Sequence, residues 1–135
     1  MTTRAAGPFD VKLAPLDPYN KDAEASLSRM SIDKEFRGDL AATSRGEMLA
    51  VGTAIRGSAG YVAVERVTGA LHGKRGTFAL QHNATMDRGV PALNIIVVPD
   101  SGTGELEGLS GGMNIIIAEG GKHSYEFDYD IAKLG

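Results

Sequence analysis

The chain has 135 residues, enough for one domain with a sizeable core and too few for two. Its net charge of −3 argues against a nucleic-acid partner, and the absence of cysteine excludes disulfides and thiolate chemistry. No stretch approaches the about 18 apolar residues of a membrane helix, and the first residues lack the apolar core of a signal peptide, so we expect one cytoplasmic domain that contacts no membrane.

Short β-prone runs separated by turn signals fill most of the chain, and many of its 18 glycines lie between them. The only helix candidate is residues 22–30, a short apolar stripe that runs into a strand pattern. The predicted strands are residues 8–16, 27–38, 39–56, 61–73, 76–86, 92–99, 102–119 and 122–131, after a loose N-terminus at 1–7. About eight antiparallel strands in meander order, whose edges need to be hidden, predict an all-β closed barrel formed by residues 1–135.

The predicted hairpin of residues 61–86 carries Glu65 and His82 in runs that are otherwise largely apolar. Pairing the two glycines of its “GKRG” turn places Glu65 opposite Ala84 and makes Glu65 and His82 diagonal neighbours. Strand alternation then puts both on the face that carries the large apolar side chains. We therefore expect these two side chains to point inward and to meet.

Turn pairing extends this inner face to the other strands. The “RGSAG” turn pairs Arg56 with Tyr61, and the “RGD” turn pairs Phe36 with Leu40. These pairings add Met30, Ile32, Lys34, Phe36, Met48, Ala50, Gly52 and Ala54. The “EGGK” turn, with Glu119 opposite Lys122, adds Asn114, Ile116, Ala118, His123, Tyr125, Phe127 and Tyr129.

An outer row of side chains is too apolar for free solvent: Leu49, Val51, Ile55, Val62 and Val64. Such a row indicates a subunit interface or a covering segment. We therefore expect a homo-oligomer, with a dimer as the simplest case.

Several long motifs resemble the bacterial DUF3224 family over roughly residues 8–130: “RMSIDKEFRGDLAATSRGEML”, “GSAGYVAVERVTGALHGKRGTFALQH”, “VVPDSGTGELEGLSG” and “YEFDY”. That family is similar to the allene oxide cyclase-like barrels, so the resemblance implies a calycin-type small β-barrel. The “GTGELEGLSG” segment is similar to a segment that begins a strand in allene oxide cyclases and dirigent proteins. Allene oxide cyclases bind an apolar epoxide and steer its cyclisation mostly by shape, but their site residues do not match this chain one by one, so none is transferred.

The candidate catalytic residues are Glu65, His82 and Lys34. A carboxylate can hold an imidazole in one tautomer, which would make Glu65 and His82 a general acid/base pair. Alternatively, the two form a buried polar pair that only satisfies itself. Lys34 could neutralise Glu65, bind an anionic ligand group or form a Schiff base, or it could simply reach a barrel mouth.

A second group of inner-face side chains is predicted to line a ligand site, while the small residues Ala50, Gly52, Ala54 and Ala63 leave space or merely compensate for large neighbours. The predicted lining residues are Tyr61, Met48, Phe36, Phe78, Asn114, His123 and Tyr125. The tyrosines could equally be core residues with hydroxyls at the rim. The three histidines are dispersed and no zinc motif is present, so no metal and no cofactor are expected.

These observations predict a barrel that binds a small apolar or carbonyl-containing molecule. The first hypothesis is an isomerase, cyclase or lyase that uses Glu65 and His82 for proton transfer. The second is a ligand-binding barrel without catalysis, and the third is a solid structural or oligomerisation domain. The volume of the interior around Glu65 distinguishes the first two hypotheses from the third.

Overall fold

The computed structural model describes residues 2–132, which form a closed antiparallel barrel of eight strands in meander order. The strands are β1 (Thr3–Leu16), β2 (Leu27–Phe36), β3 (Leu40–Gly52), β4 (Ala59–Leu71), β5 (Lys74–Asp87), β6 (Val90–Val97), β7 (Leu109–Ile117) and β8 (His123–Ile131). The predicted all-β closed barrel of about eight strands is confirmed. Residue 1 and residues 133–135 of the predicted domain lie outside the described residues.

Between residues 2 and 132, helical structure is limited to three single 3₁₀ turns, at Ala23–Ala25, Gly104–Leu106 and Glu119–Gly121. The helix candidate at 22–30 therefore shrinks to one turn, because the strand pattern takes over at Leu27. None of the helices within residues 2–132 has the length and apolar character needed to cross a membrane.

The barrel is closed by β1 and β8, which pair from Thr3 opposite Tyr129 to Phe9 opposite His123. Arg4 on β1 strengthens this closure with two hydrogen bonds to the Asp128 carboxylate, at 2.8 and 2.9 Å. The predicted loose N-terminus is therefore wrong for residues 3–7. These residues are ordered by pairing with β8, whose residues lie 118 to 126 positions away, and local sequence patterns do not reveal such a partner.

The predicted registers of three hairpins are shifted, although the faces are correct. Glu65 lies opposite Leu80, not Ala84, because the β4–β5 turn is His72–Gly73, with φ of +47° and +80° as a tight hairpin requires. Phe36 pairs with Ala42 and Tyr61 with Ala50. Since each shift is an even number of residues, the inward and outward faces stay as predicted.

Two parts of the predicted inner face are wrong. On β7 the inward-facing residues are those in register with His123 and Tyr125, namely Ile117 and Ile115, so Asn114, Ile116 and Ala118 are excluded. The connection 118–122 is longer than the predicted two-residue turn, and the resulting shift by an odd number reverses the two faces of β7. Ala54 is excluded as well, because β3 ends at Gly52.

The two ends of the barrel differ in packing. At one end, here called the closed end, a continuous core of apolar side chains fills the interior, including Phe36, Phe78 and Phe127. At the other end, here called the mouth, inward-facing side chains remain exposed: Leu13 by 47%, Met86 by 44% and Leu93 by 42%. The barrel interior is therefore solid at one end and accessible at the other.

The connection from β6 to β7, residues 98–108, covers the closed end. It lies against β5, where the Thr103 amide donates to the Thr77 carbonyl at 2.8 Å and the Ala79 amide donates to the Ser101 hydroxyl at 3.0 Å. Its Leu106 side chain is fully buried in the core. The prediction of a strand over 102–119 is wrong for residues 102–108, because these residues form a cap and not part of the barrel wall.

The wall has a seam between β6 and β7, where a single residue pair, Ile96 opposite Gly112, joins the two strands. Toward the mouth, residues 90–95 of β6 and 113–117 of β7 have no partner strand on that side. The other seven junctions of the barrel each pair at least seven residues.

Candidate functional site

Four polar side chains meet inside the barrel, between the closed end and the mouth. The Lys34 ammonium donates to Oε2 of Glu65 at 2.7 Å, and Nε2 of His82 lies 2.6 Å from the same oxygen. The Ser44 hydroxyl donates to Oε1 of Glu65 at 2.8 Å. Glu65 is 0% exposed and the other three are buried, so the cluster is almost closed to water.

The four side chains come from four consecutive strands, β2 to β5. Lys34 lies opposite Ser44, and His82 is a diagonal neighbour of Glu65, whose direct partner on β5 is Leu80. The predicted contact between Glu65 and His82 is thus present. Lys34 also contacts Glu65, as the alternative in which Lys34 neutralises this carboxylate predicts. Alternation along each strand points all four groups inward.

The pKa of Glu65 is lowered to about 2. Burial alone would raise it, but the hydrogen bond from His82 and the positive charge and hydrogen bond of Lys34 together outweigh burial. Glu65 is therefore an anion at neutral pH. It cannot serve as a general acid there, and its role is to hold its two cationic or polar neighbours in place.

The Lys34 nitrogen is enclosed by three side chains. Besides its bond to Glu65, it lies 5.3 Å from the ring centroid of Phe9 and 5.7 Å from that of Phe36. Aromatic rings of this kind attract a nearby cation. Because the nitrogen is buried and bound to the carboxylate, it is not placed to attack a ligand carbonyl, which argues against the Schiff-base alternative.

His82 has one nitrogen fixed and one available. Because ionised Glu65 can only accept a hydrogen bond, Nε2 of His82 carries a proton and donates it to this bond, which leaves Nδ1 as the second ring nitrogen. Nδ1 of His82 has no hydrogen-bond partner within residues 2–132. Every fully buried side-chain nitrogen or oxygen in that range does have a partner, so Nδ1 is not fully buried. Nδ1 therefore retains contact with solvent.

The predicted lining residues differ in where they lie and in how much of each is exposed. Tyr61 and Met48 are half-buried and face inward at the mouth, as predicted. Phe36, Phe78 and Tyr125 also face inward but belong to the packed core of the closed end.

The Tyr125 hydroxyl is occupied by the backbone: it donates to the carbonyl of Arg37 at 2.6 Å and accepts from the amide of Leu40 at 2.8 Å. His123 is half-buried against Phe9, with ring centroids 5.3 Å apart. Asn114 is exposed on the outer face, so it cannot line the interior. Of the seven predicted lining residues, Tyr61, Met48 and His123 face inward and are partly exposed, and the ring of His123 packs against Phe9.

Tyr61 provides a polar group at the mouth. The pKa of its hydroxyl is raised, first by burial and second by the negative charge of Glu65. Its hydroxyl has no hydrogen-bond partner among the described side chains and backbone groups, so it remains available as a donor at neutral pH.

Sequence reasoning missed Ser44, a member of the cluster, and Gly46 beside it. Both lie on the inner face of β3, where the predicted alternation of Met48 and Ala50, continued backwards along the strand, reaches Gly46 and then Ser44. Ser44 completes the hydrogen bonds of Glu65, and Gly46 lies directly opposite Glu65.

Gly46 leaves room for Glu65, and we expect Gly46→Ala to destabilise the protein by about 1–3 kcal/mol, as overpacking does. A Cβ at this position would lie 2.6 Å from Cα and 2.8 Å from Cβ of Glu65. Gly52→Ala on the same strand is the control, because a Cβ there meets nothing within 4 Å. Urea unfolding measures both variants, and equal losses in the two would contradict this packing role.

Glu65 lines none of five grooves on the barrel wall, which have volumes between about 240 and 730 Å³ and are lined mainly by outward-facing side chains. At the mouth, inward-facing side chains such as Leu13 and Met86 are reached by solvent. No group of three or more His, Asp and Glu side chains within residues 2–132 is arranged to hold a metal ion.

The fold and the site together define a small closed β-barrel with a buried carboxylate, lysine and histidine cluster beneath an open mouth. The sequence pattern of the family described as “Protein of unknown function (DUF3224)” matches residues 5–129, and the chain belongs to this family. A crystal structure of a DUF3224 protein of unknown function from Shewanella oneidensis MR-1 is similar, with 48% sequence identity and a TM-score of 0.93. That similarity covers 98% of this chain and 100% of the Shewanella chain. A comparison with curated proteins found no match.

Proposed function

We propose that this barrel binds a small, largely apolar molecule at its mouth and transfers a proton to and from it through His82. The observation that carries the proposal is the state of His82: Glu65 fixes Nε2, while Nδ1 keeps contact with solvent. Inward-facing apolar side chains at the mouth, such as Leu13 and Met86, supply a surface for the ligand.

In this proposal His82 is the catalytic base and Glu65 is a positioning residue. Nδ1 of His82 accepts a proton from a carbon next to a carbonyl group, and the same nitrogen returns it to another carbon of the same molecule. The bonds and protons balance without a further reactant, as in an isomerisation. The Glu65 anion stabilises the imidazolium that forms between the two steps.

Tyr61 and Lys34 have supporting roles. The Tyr61 hydroxyl is placed to donate a hydrogen bond to a ligand carbonyl, which would stabilise the negative charge that develops on its oxygen. Lys34 neutralises Glu65 and keeps the carboxylate in place. The ligand class that fits is a small enone or ketone with an apolar body.

Proton exchange in deuterated water tests this function. We expect the protein to speed deuterium incorporation next to the carbonyl of some members of a panel of cyclic and linear enones, followed by NMR. His82→Ala should lower that rate by about 10²–10⁴-fold, the usual contribution of a general base. The control is His72→Ala, which removes an exposed histidine in the β4–β5 turn and should leave the rate unchanged.

The outcomes distinguish an enzyme from a binding protein. Binding of an enone, seen as a shift in NMR resonances of the mouth residues, without accelerated exchange would support a ligand-binding barrel without catalysis. Accelerated exchange that survives His82→Ala would show that the assignment of the base is wrong.

We also propose an assembly role, because one specific observation favours it. The predicted outer apolar row is present, and Leu49, Val62 and Val64 are each more than half exposed. Exposed apolar surface of this kind marks interaction sites in many proteins. The role is compatible with ligand binding, since the row faces away from the interior.

A further inference from the structure

Charge is distributed unevenly around the barrel. The outward-facing side chains of β8, β1 and β2 include acidic and basic groups, several of them in ion pairs such as Arg4 with Asp128 and Arg29 with Glu47. By contrast, β6 and β7 contain no Asp, Glu, Lys or Arg at all, whereas each of the other six strands contains at least two. The barrel therefore has a charged side and an uncharged side.

The uncharged side, here called the uncharged face, consists of the outward-facing residues of β4 from 60 to 64, of β5 from 79 to 85, and of all of β6 and β7. Its apolar side chains are strongly exposed, with Val62 at 52% and Val64 at 55%. Ile96 and Ile116 on either side of the seam are exposed as well. A groove of about 550 Å³ runs along this face, from the β3–β4 outer row to β6.

The seam adds unpaired backbone to this surface. Residues 113–117 of β7 present a strand edge that contains no charged residue and no proline. Proteins commonly place charged residues or proline on a strand edge to block its pairing with another chain. The β6 edge has Pro91 alone as such a block. Exposed apolar side chains and an unprotected strand edge therefore occur together on one side of the molecule.

We propose that a second copy of this chain docks on the uncharged face and covers the β6–β7 seam in a two-fold dimer. This inference deepens the assembly role proposed above and does not depend on catalysis. In a two-fold contact a patch meets an identical patch, so a patch with an excess of one sign of charge is opposed by the same sign, whereas an uncharged patch is not. With a net charge of −3 on each copy, two chains meet without such repulsion on this face.

The charge pattern also favours a second copy over a partner of different sequence. A different protein could carry charges complementary to those of the charged side. Its binding would therefore not require a surface that lacks both positive and negative side chains. The uncharged face matches itself, as a two-fold interface requires. Docking there also provides a wall behind the seam, so the interior is enclosed on that side by two chains and not by one.

Analytical ultracentrifugation of the full chain tests the proposal. We expect the wild type to sediment as a dimer, and Val62→Glu to weaken the association by at least about 100-fold, since the two-fold contact brings the new carboxylates together. The control is Thr68→Glu, an exposed position on the same strand outside the uncharged face. Circular dichroism and thermal unfolding show whether each variant keeps its fold. We expect both variants to fold, because Val62 and Thr68 are exposed.

Two results would overturn the proposal in different ways. A wild type that is monomeric at every concentration tested would remove both this dimer and the assembly role. Self-association that persists in Val62→Glu but is lost in Thr68→Glu would keep the assembly role and move the interface to the charged side.

Discussion

Glu65→Gln is expected to lower the free energy of unfolding at neutral pH by about 3–5 kcal/mol, the usual cost of breaking a buried ion pair. The change leaves the Lys34 ammonium buried without its counterion and replaces one of the two carboxylate oxygens, which accept hydrogen bonds from Lys34, His82 and Ser44, by an amide nitrogen. Urea unfolding at pH 7 measures the loss. Glu47→Gln is the control, because the ion pair of Glu47 with Arg29 is exposed and is worth about 0–1 kcal/mol.

The same carboxylate makes stability depend on pH in a defined direction. Its pKa in the folded protein is about 2, below the ordinary value of 4.5 for a glutamate side chain. The folded state therefore binds the proton less readily than the unfolded state, and the stabilisation is complete above pH 4.5 and is lost as pH falls toward 2. The shift corresponds to about 3 kcal/mol.

Glu65→Gln should remove this part of the acid sensitivity, so that the difference in stability between wild type and variant shrinks between pH 5 and pH 2.5. The double variant Lys34→Met with Glu65→Gln should recover part of the loss at pH 7, because it no longer buries an unpaired charge. A wild type and a Glu65→Gln variant of equal stability at pH 7 would show that the cluster does not stabilise the fold.

Leu106→Ala is expected to cost about 2–5 kcal/mol, because it empties a fully buried position in the cap over the closed end. Leu106 is the apolar anchor of the 98–108 connection, which otherwise holds to β5 by hydrogen bonds such as that from Thr103 to Thr77. The control is Leu16→Ala on the outer surface of β1, where the side chain is partly in solvent and the cost should stay near about 0.5 kcal/mol. Chemical unfolding followed by tyrosine fluorescence gives both values, and similar costs for the two variants would mean that the cap does not stabilise the core.

Much of the fold follows from strand alternation and turn signals. These place Glu65, His82 and Lys34 on one face, and the structure brings all three together. The hairpin registers from β2 to β5 are displaced, yet the faces survive because each displacement is even. The contact between Glu65 and His82 survives because the four-residue shift moves His82 from one diagonal position beside Glu65 to the other.

The remaining features depend on interactions that sequence patterns do not encode. The connection before β8 contains Gly120 and Gly121, both with positive φ, and its true length cannot be read from the residue types. One extra residue there reverses β7 and moves Asn114 to solvent. Likewise, residues 98–108 form a cap because Leu106 packs into the core, and residues 3–7 form a strand because they pair with β8.

The pairing of β1 with β8 has a consequence for how the chain acquires its structure. Every other junction of the barrel joins strands that are neighbours in sequence, so each forms by closing a short loop. Thr3, however, pairs with Tyr129. During synthesis from the N-terminus, the free edge of β1 has no partner until almost the whole chain has been made. We therefore expect the ring to close last, when β8 has been made and can pair with β1.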